Sequence, residues 1–259
     1  MEVTKAEKIC YVGFSQGTAI GFACFSSFPE IASKISLFIA LAPCIYLKGF
    51  QNPIAHAVAQ TRPEFSFLIF GKKIFMGNNM FWRKFLSPEN WVSLMVNILI
   101  LLSLKFFFSS YFFIKDKCQF FLFGWKSLKL DPKEKQMLYS HLYSTTSVKS
   151  VIQWFQILHH GKFMMYDPSM CQKSEGYQEQ EMPIYDISKF DVPTALLCGK
   201  NDTLPDTKKL TDTLPPECVI LKEDFEGYEH LDLMWAKDTS TTVIPKMRNI
   251  LSKYLEHSK

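Results

Sequence analysis

The sequence predicts an α/β fold, a parallel sheet with a large helical insertion, and three observations carry that expectation. Short apolar runs suited to buried strands alternate with helix-patterned segments. One of those runs leads through a serine between two glycines into a helix of small residues, in CYVGFSQGTAIGFACF (10–25). The chain closes on an amphipathic segment whose apolar residues recur every three or four positions.

In chain order, Lys8 to Phe14 reads as a short buried strand and Thr18 to Phe28 as a helix. Ile35 to Ala42 is a second strand, stopped by Pro43. A long, aromatic-rich and helix-patterned interval follows. Val192 to Cys198 is the third strand, ending at Gly199, and Cys218 to Leu221 is the fourth, followed by an acidic stretch. Ser240 to Glu256 forms the closing helix through Val243, Ile244, Met247, Ile250, Leu251, Tyr254 and Leu255. Residues 1–45 and 187–259 therefore make the core, and 46–186 a helical cap inserted between strands.

Composition narrows the function. With 259 residues, 47% hydrophobic and 21% charged, the chain buries a substantial core as one domain or a domain with a cap. Lys+Arg 29 against Asp+Glu 25 is a dispersed net charge of +4, which excludes a nucleic-acid footprint. The seven cysteines, Cys10, Cys24, Cys44, Cys118, Cys171, Cys198 and Cys218, show no C-x-x-C spacing, and pairing would leave one over. His159 and His160 are neighbours on a helix and do not face one point, so they read as cap surface. No metal and no cofactor is implied. The first eight residues are charged and lack the apolar stretch of a signal peptide.

The chemistry centres on Gly13-Phe14-Ser15-Gln16-Gly17. A serine hydroxyl is a weak nucleophile until a base takes its proton, and the base needs a carboxylate to hold its tautomer. A strained strand-to-helix turn presents such a serine, with small flanking residues because side chains there would clash. The acid candidate, Asp202, follows the third strand in Gly199-Lys200-Asn201-Asp202. The base candidate, His230, follows the fourth in Glu229-His230-Leu231-Asp232. Taken singly, each has an ordinary reading: G-x-S-x-G is a weak motif, Asp202 could be a turn residue, and a late histidine is more often surface or core. Together they stand in the order serine, acid, base, each beyond a strand end, as in α/β-hydrolases.

Three stretches then resemble the acid lipase family, the lysosomal acid lipase and gastric lipase type: YVGFSQGTAIGFACFSSFPEIASKISLFIALAP (11–43), FDVPTALLCGKNDTLPD (190–206) and EGYEHLDLMWAKD (226–238). A weaker match, SVKSVIQWFQILHHGKFMMYD (147–167), falls in the family's cap. The resemblance implies an α/β-hydrolase hydrolysing triacylglycerols or cholesteryl esters at a lipid–water interface. It implies Ser15 as nucleophile, Asp202 as acid, His230 as base, and the Gln16 N–H as one oxyanion donor between the elbow glycines Gly13 and Gly17. Leu231 and Trp235 match positions that pack near the base. Members are secreted or lysosomal.

Three departures from that pattern are visible. Phe14 stands where the family usually has histidine, which bears on rate or substrate preference. The family's cap disulfide has no counterpart, because Cys118 is the only cysteine between Cys44 and Cys171. The family's signal peptide, N-terminal segment and early strands do not precede Ser15 here, so the chain is expected to be an N-terminally truncated lipase. It is expected to be weakly active or inactive as given, for want of a second oxyanion donor, worth roughly 10²–10³ in rate, and because of a bare apolar edge beside the serine strand.

The run VSLMVNILILLSLKFFFSSYFFI (92–114) matches no part of the family. It is long enough to span a bilayer, although Lys105 and Asn97 oppose insertion. Retained noncoding sequence, a lid or cap helix, and a membrane anchor all fit it. Asn201-Asp202-Thr203 also satisfies the glycosylation sequon, but a glycan there would block the cleft. A noncatalytic lipase-like fragment and a membrane-associated interaction protein are the competing functional expectations.

Overall fold

The computed structural model describes residues 3–53, 56–57, 74–75, 117, 119–142, 146–168 and 184–256. The apolar run 92–114, Cys118 and Cys171 lie outside the described residues, and with them the readings attached to that run and to the cap disulfide.

Four parallel strands form the main sheet: β1 (Ile9–Phe14), β2 (Ile35–Leu41), β5 (Thr194–Gly199) and β6 (Val219–Phe225), in the order β1-β2-β5-β6. Two short strands between them, β3 (Ile74–Phe75) and β4 (Thr146–Ser147), pair antiparallel to each other. The inner strands are almost entirely apolar, as a sheet covered on both faces requires. On one face α1 (Gln16–Ser27) packs Phe22 and Phe25 against Phe38 of β2. On the other, Leu37, Ile39, Ala195 and Leu197 meet Val243 and Ile250 of the closing helix, α7 (Val243–Glu256). Between these lie the short α2 (Pro29–Ala32), α3 (Lys135–Leu142), α4 (Val148–His160), α5 (Thr207–Thr213) and α6 (Asp232–Trp235).

Two sequence expectations need correction. Lys8 to Phe14 reads as a buried strand, yet Ile9 is 43% and Val12 44% exposed, because β1 is the edge of the described sheet, where a bare edge beside the serine strand is expected. The fourth strand does not stop at Leu221. It continues through Lys222, Glu223 and Asp224 to Phe225, because an edge strand can point every second side chain into water and so accept charged residues. Such alternation in β6 hides the strand from a search for apolar runs.

Among the described residues no helix is long and apolar enough to cross a membrane. The parallel arrangement gathers the carboxyl ends of β1, β5 and β6 on one side of the sheet, where Ser15, Asp202 and His230 follow them.

Candidate active site

Ser15 sits between β1 and α1 with φ 51 and ψ −116, a left-handed conformation that costs a residue with a side chain about 1–3 kcal/mol. Its surroundings enforce it. Ser15 N–H donates to Leu41 O of β2 at 3.0 Å, and its carbonyl accepts from Thr18 N–H at 2.9 Å and Thr18 Oγ1 at 2.5 Å. Thr18 Oγ1 in turn accepts from Cys44 N–H at 2.9 Å, tying the turn to the chain beyond β2.

The flanking glycines differ in their reasons. A Cβ at Gly13 would lie 2.9 Å from the backbone C and O of Gly17, so the helix can start there only over a bare backbone. A Cβ at Gly17 would meet only the Tyr11 hydroxyl at 3.9 Å, an ordinary contact. Crowding therefore explains Gly13 alone. Tyr11 instead donates its hydroxyl to Gly17 O at 2.9 Å, pinning the first turn of α1. Gln16, the first residue of that helix, places its N–H in the turn where backbone donors lack intrahelical acceptors.

His230 stands between the other two side chains. Its Nε2 is 2.7 Å from Ser15 Oγ and its Nδ1 is 2.6 Å from Asp202 Oδ2. Both partners of the acid–base bond are buried, at 3% and 7% exposure, so water does not compete for it. Asp202 Oδ1 accepts from Leu204 N–H at 3.1 Å, and Asn201 N–H donates to Tyr228 O at 2.9 Å, which joins the acid loop to the base loop. The Phe14 ring lies 5.3 Å from the imidazole between centroids, so this departure from the family pattern borders the base itself.

Neighbouring thiols and carboxyls respond to the same burial. Desolvation raises the Cys44 thiol far above its usual range, with the Asp202 charge adding to it, so Cys44 stays a neutral thiol beside the acid. Asp232 is pushed up to about 6, chiefly by burial, against the opposing bond from Glu229 N–H to its Oδ2 at 2.7 Å. Its Oδ1 is buried with no hydrogen-bond partner among the described residues. A carboxyl raised in the folded state lends stability when protonated, fully below the unfolded value and lost as pH rises through about 6. Asp232→Asn is therefore expected to raise the thermal midpoint at about pH 7 and to lose that advantage by about pH 4. Paired melting curves check it, and an advantage that grows on acidification contradicts it.

Other sequence candidates fall elsewhere. His159 and His160 end α4 with rings 4.8 Å apart in an edge arrangement, and no cluster of three metal-binding side chains occurs among the described residues. Asn201 is exposed, while the Thr203 hydroxyl of its sequon is engaged with Phe123 O. Trp125 and Glu229, described below, gave no signal in the sequence as neighbours of the base.

Comparison with known proteins follows the same line. No family model matches the chain. A probable lipase of Schizosaccharomyces pombe is 34% identical over 92% of this chain and 46% of its own length. Gastric triacylglycerol lipase of Rattus norvegicus is 32% identical over 98% of this chain and 60% of that protein. Lysosomal acid lipase/cholesteryl ester hydrolase of Macaca fascicularis is 28% identical over 97% and 59%. The acid lipases are its homologues. The chain spans about half to three-fifths of the length of these curated relatives. Among solved structures, the monoacylglycerol lipase of Paleococcus ferrophilus superposes on this acid-lipase homologue with a TM-score of 0.50 at 14% identity, covering 99% of this chain and 70% of that one. The fold is that of the α/β-hydrolases.

Proposed function

We infer that this acid-lipase homologue carries the nucleophile, base and acid of a serine ester hydrolase acting on neutral lipid esters, triacylglycerols or cholesteryl esters. The single observation behind this reading is the bridge made by His230, 2.7 Å from Ser15 Oγ and 2.6 Å from Asp202 Oδ2. The lipid-ester class is supported by the names of the relatives, a triacylglycerol lipase and a cholesteryl ester hydrolase.

In this reading the Nδ1–H of neutral His230 donates a hydrogen bond to Asp202, leaving Nε2 to accept one from the serine hydroxyl. Ser15 Oγ attacks the ester carbonyl carbon as Nε2 takes the hydroxyl proton. The negative charge on the carbonyl oxygen is met by the Gln16 N–H, aligned with the N-terminus of α1. Collapse breaks the bond to the alcohol, which leaves with the proton from His230. Water then gives a proton to His230 and attacks the acyl-enzyme. The fatty acid departs and Ser15 recovers its hydrogen. Asp202 stays ionised throughout and stabilises the imidazolium.

The test is a fluorophosphonate probe together with emulsified triacylglycerol and cholesteryl ester. Labelling at Ser15 and release of fatty acid from either ester are expected. Labelling at another serine, or none, rejects the reading.

A further inference from the structure

The base has a neighbour that no catalytic step uses. The Trp125 indole lies flat on the His230 imidazole, with ring centroids 5.2 Å apart and an interplanar angle of 3°. Behind it, the Phe123 ring stacks on the indole at 4.3 Å. Trp125 is 6% exposed, and its Nε1 has no hydrogen-bond partner among the described residues. The indole is thus held for its ring face, not for its N–H.

The segment carrying Trp125 is fastened on both sides of the imidazole. The carboxylate of Glu229, the residue before the base, accepts from Lys126 N–H at 2.8 and 3.0 Å and from Ser127 N–H at 2.8 Å. The hydroxyl of Thr203, the residue after the acid, donates to Phe123 O. Gln51 N–H adds a bond to Leu122 O at 2.9 Å. Gly124, at φ 76, and Ser127, at φ 51, turn the backbone sharply on either side of the tryptophan. Of these fastenings, those from Glu229 and Thr203 fall on residues next to the base and the acid.

We propose that residues 122–127 form a strap whose Trp125 is a positioning residue for His230, clamped by Glu229 and Thr203. This rests on the serine-hydrolase reading above. The base must swing its proton between Ser15 Oγ and the leaving oxygen without leaving the plane that keeps Nδ1 on Asp202. A flat aromatic surface permits in-plane motion and blocks tilting. The same face attracts the imidazolium that forms after proton transfer, since a ring quadrupole favours a cation above it. Phenylalanine retains the face; leucine keeps bulk and loses it.

The experiment measures the rate constant for fluorophosphonate labelling of Ser15 in the intact protein and in W125F, W125L and E229A, with circular dichroism confirming folding. In that reaction the Ser15 Oγ–P bond forms, fluoride leaves, and the hydroxyl proton passes to His230. W125L and E229A are expected to label about tenfold more slowly or worse, and W125F to recover most of the rate, a tenfold loss being part of the roughly 10²–10⁴-fold that general-base assistance supplies. For a short soluble ester, the loss should fall on kcat, with KM little changed. A W125L rate within about twofold of wild type, or a W125F rate as low as that of W125L, overturns the proposal. If W125L does not fold, tryptophan emission decides. Stacking on the imidazole should quench Trp125, so His230→Ala should change the emission of the otherwise wild-type protein and leave that of W125F unchanged. The same response to His230→Ala in both backgrounds overturns it. Absence of labelling in every protein, wild type included, would reject the hydrolase reading while the emission comparison still judges the stack.

Discussion

Ester hydrolysis should vanish in Ser15→Ala, with kcat lower by on the order of 10⁶, the loss seen when a triad nucleophile is removed. The size of the effect comes from the way the three groups act as a unit. Without Oγ there is no bond for the acyl group and no proton for His230 to take, so the 2.7 Å contact that links them has nothing to do. What survives is binding and the donor at the start of α1, which stabilise an attack by water from outside the site. The fold should be intact, because the main chain at position 15 keeps its bonds to Leu41 and Thr18 and alanine meets the same left-handed strain as serine. The check is fatty-acid release together with the unfolding midpoint. A variant that turns over within about tenfold of wild type would mean that another nucleophile does the work.

Gly199→Ala is the second large effect, and it acts on both stability and activity. Gly199 ends β5, and a Cβ there would stand 2.6 Å from Tyr228 O, 3.0 Å from Glu229 O and 3.1 Å from Tyr228 C. These are backbone atoms of the loop that delivers His230, so the conflict cannot be relieved by a rotamer change. Overpacking of this kind costs about 1–3 kcal/mol, and the backbone origin of the contact places it at the upper end. The relief available is for residues 228–229 to move away from β5, which draws the imidazole off Asp202 and Ser15. A displacement of about 1 Å at a reacting group is worth about 10² in rate. The expected result is a lower unfolding midpoint and a kcat reduced by about that factor in the fraction that remains folded. An alanine variant with wild-type kcat would show that the base loop does not depend on this close approach.

The inner strands were legible because burial on both faces leaves unbroken apolar runs in β2 and β5. Their positions made Asp202 conspicuous, since it stands just past a strand end. The serine turn was legible for a local reason: Gly13 is needed where α1 crosses over β1. Legibility failed wherever the cause was distant. Leu221 looked like the end of β6 because the charges after it belong to the solvated side of an edge strand. His230 consequently lies closer to the end of its strand than the pattern suggests, following Phe225 rather than Leu221. Gly17 reads as equivalent to Gly13, but only the folded backbone distinguishes a crowded Cβ position from an open one. The pairing of Glu229 with the backbone at Lys126 joins positions 103 residues apart, and no periodicity or motif encodes such a contact.

That spread of sequence distances also orders the assembly of the site during folding. The bond between His230 and Asp202 closes a loop of 28 residues, and needs little more than β5 and β6 side by side. The bond between His230 and Ser15 spans 215 residues, and needs β2 in place between β1 and β5 as well. Closure entropy alone separates the two only slightly, about 0.6 kcal/mol for each doubling of length. The larger difference is topological, because contacts remote in the chain become favourable only after the nearer pairings have formed. On the serine-hydrolase reading, a nascent or partly refolded chain would thus hold His230 against Asp202 with the Ser15 hydroxyl out of reach, and labelling at Ser15 would arrive last, as a late kinetic marker of the complete sheet.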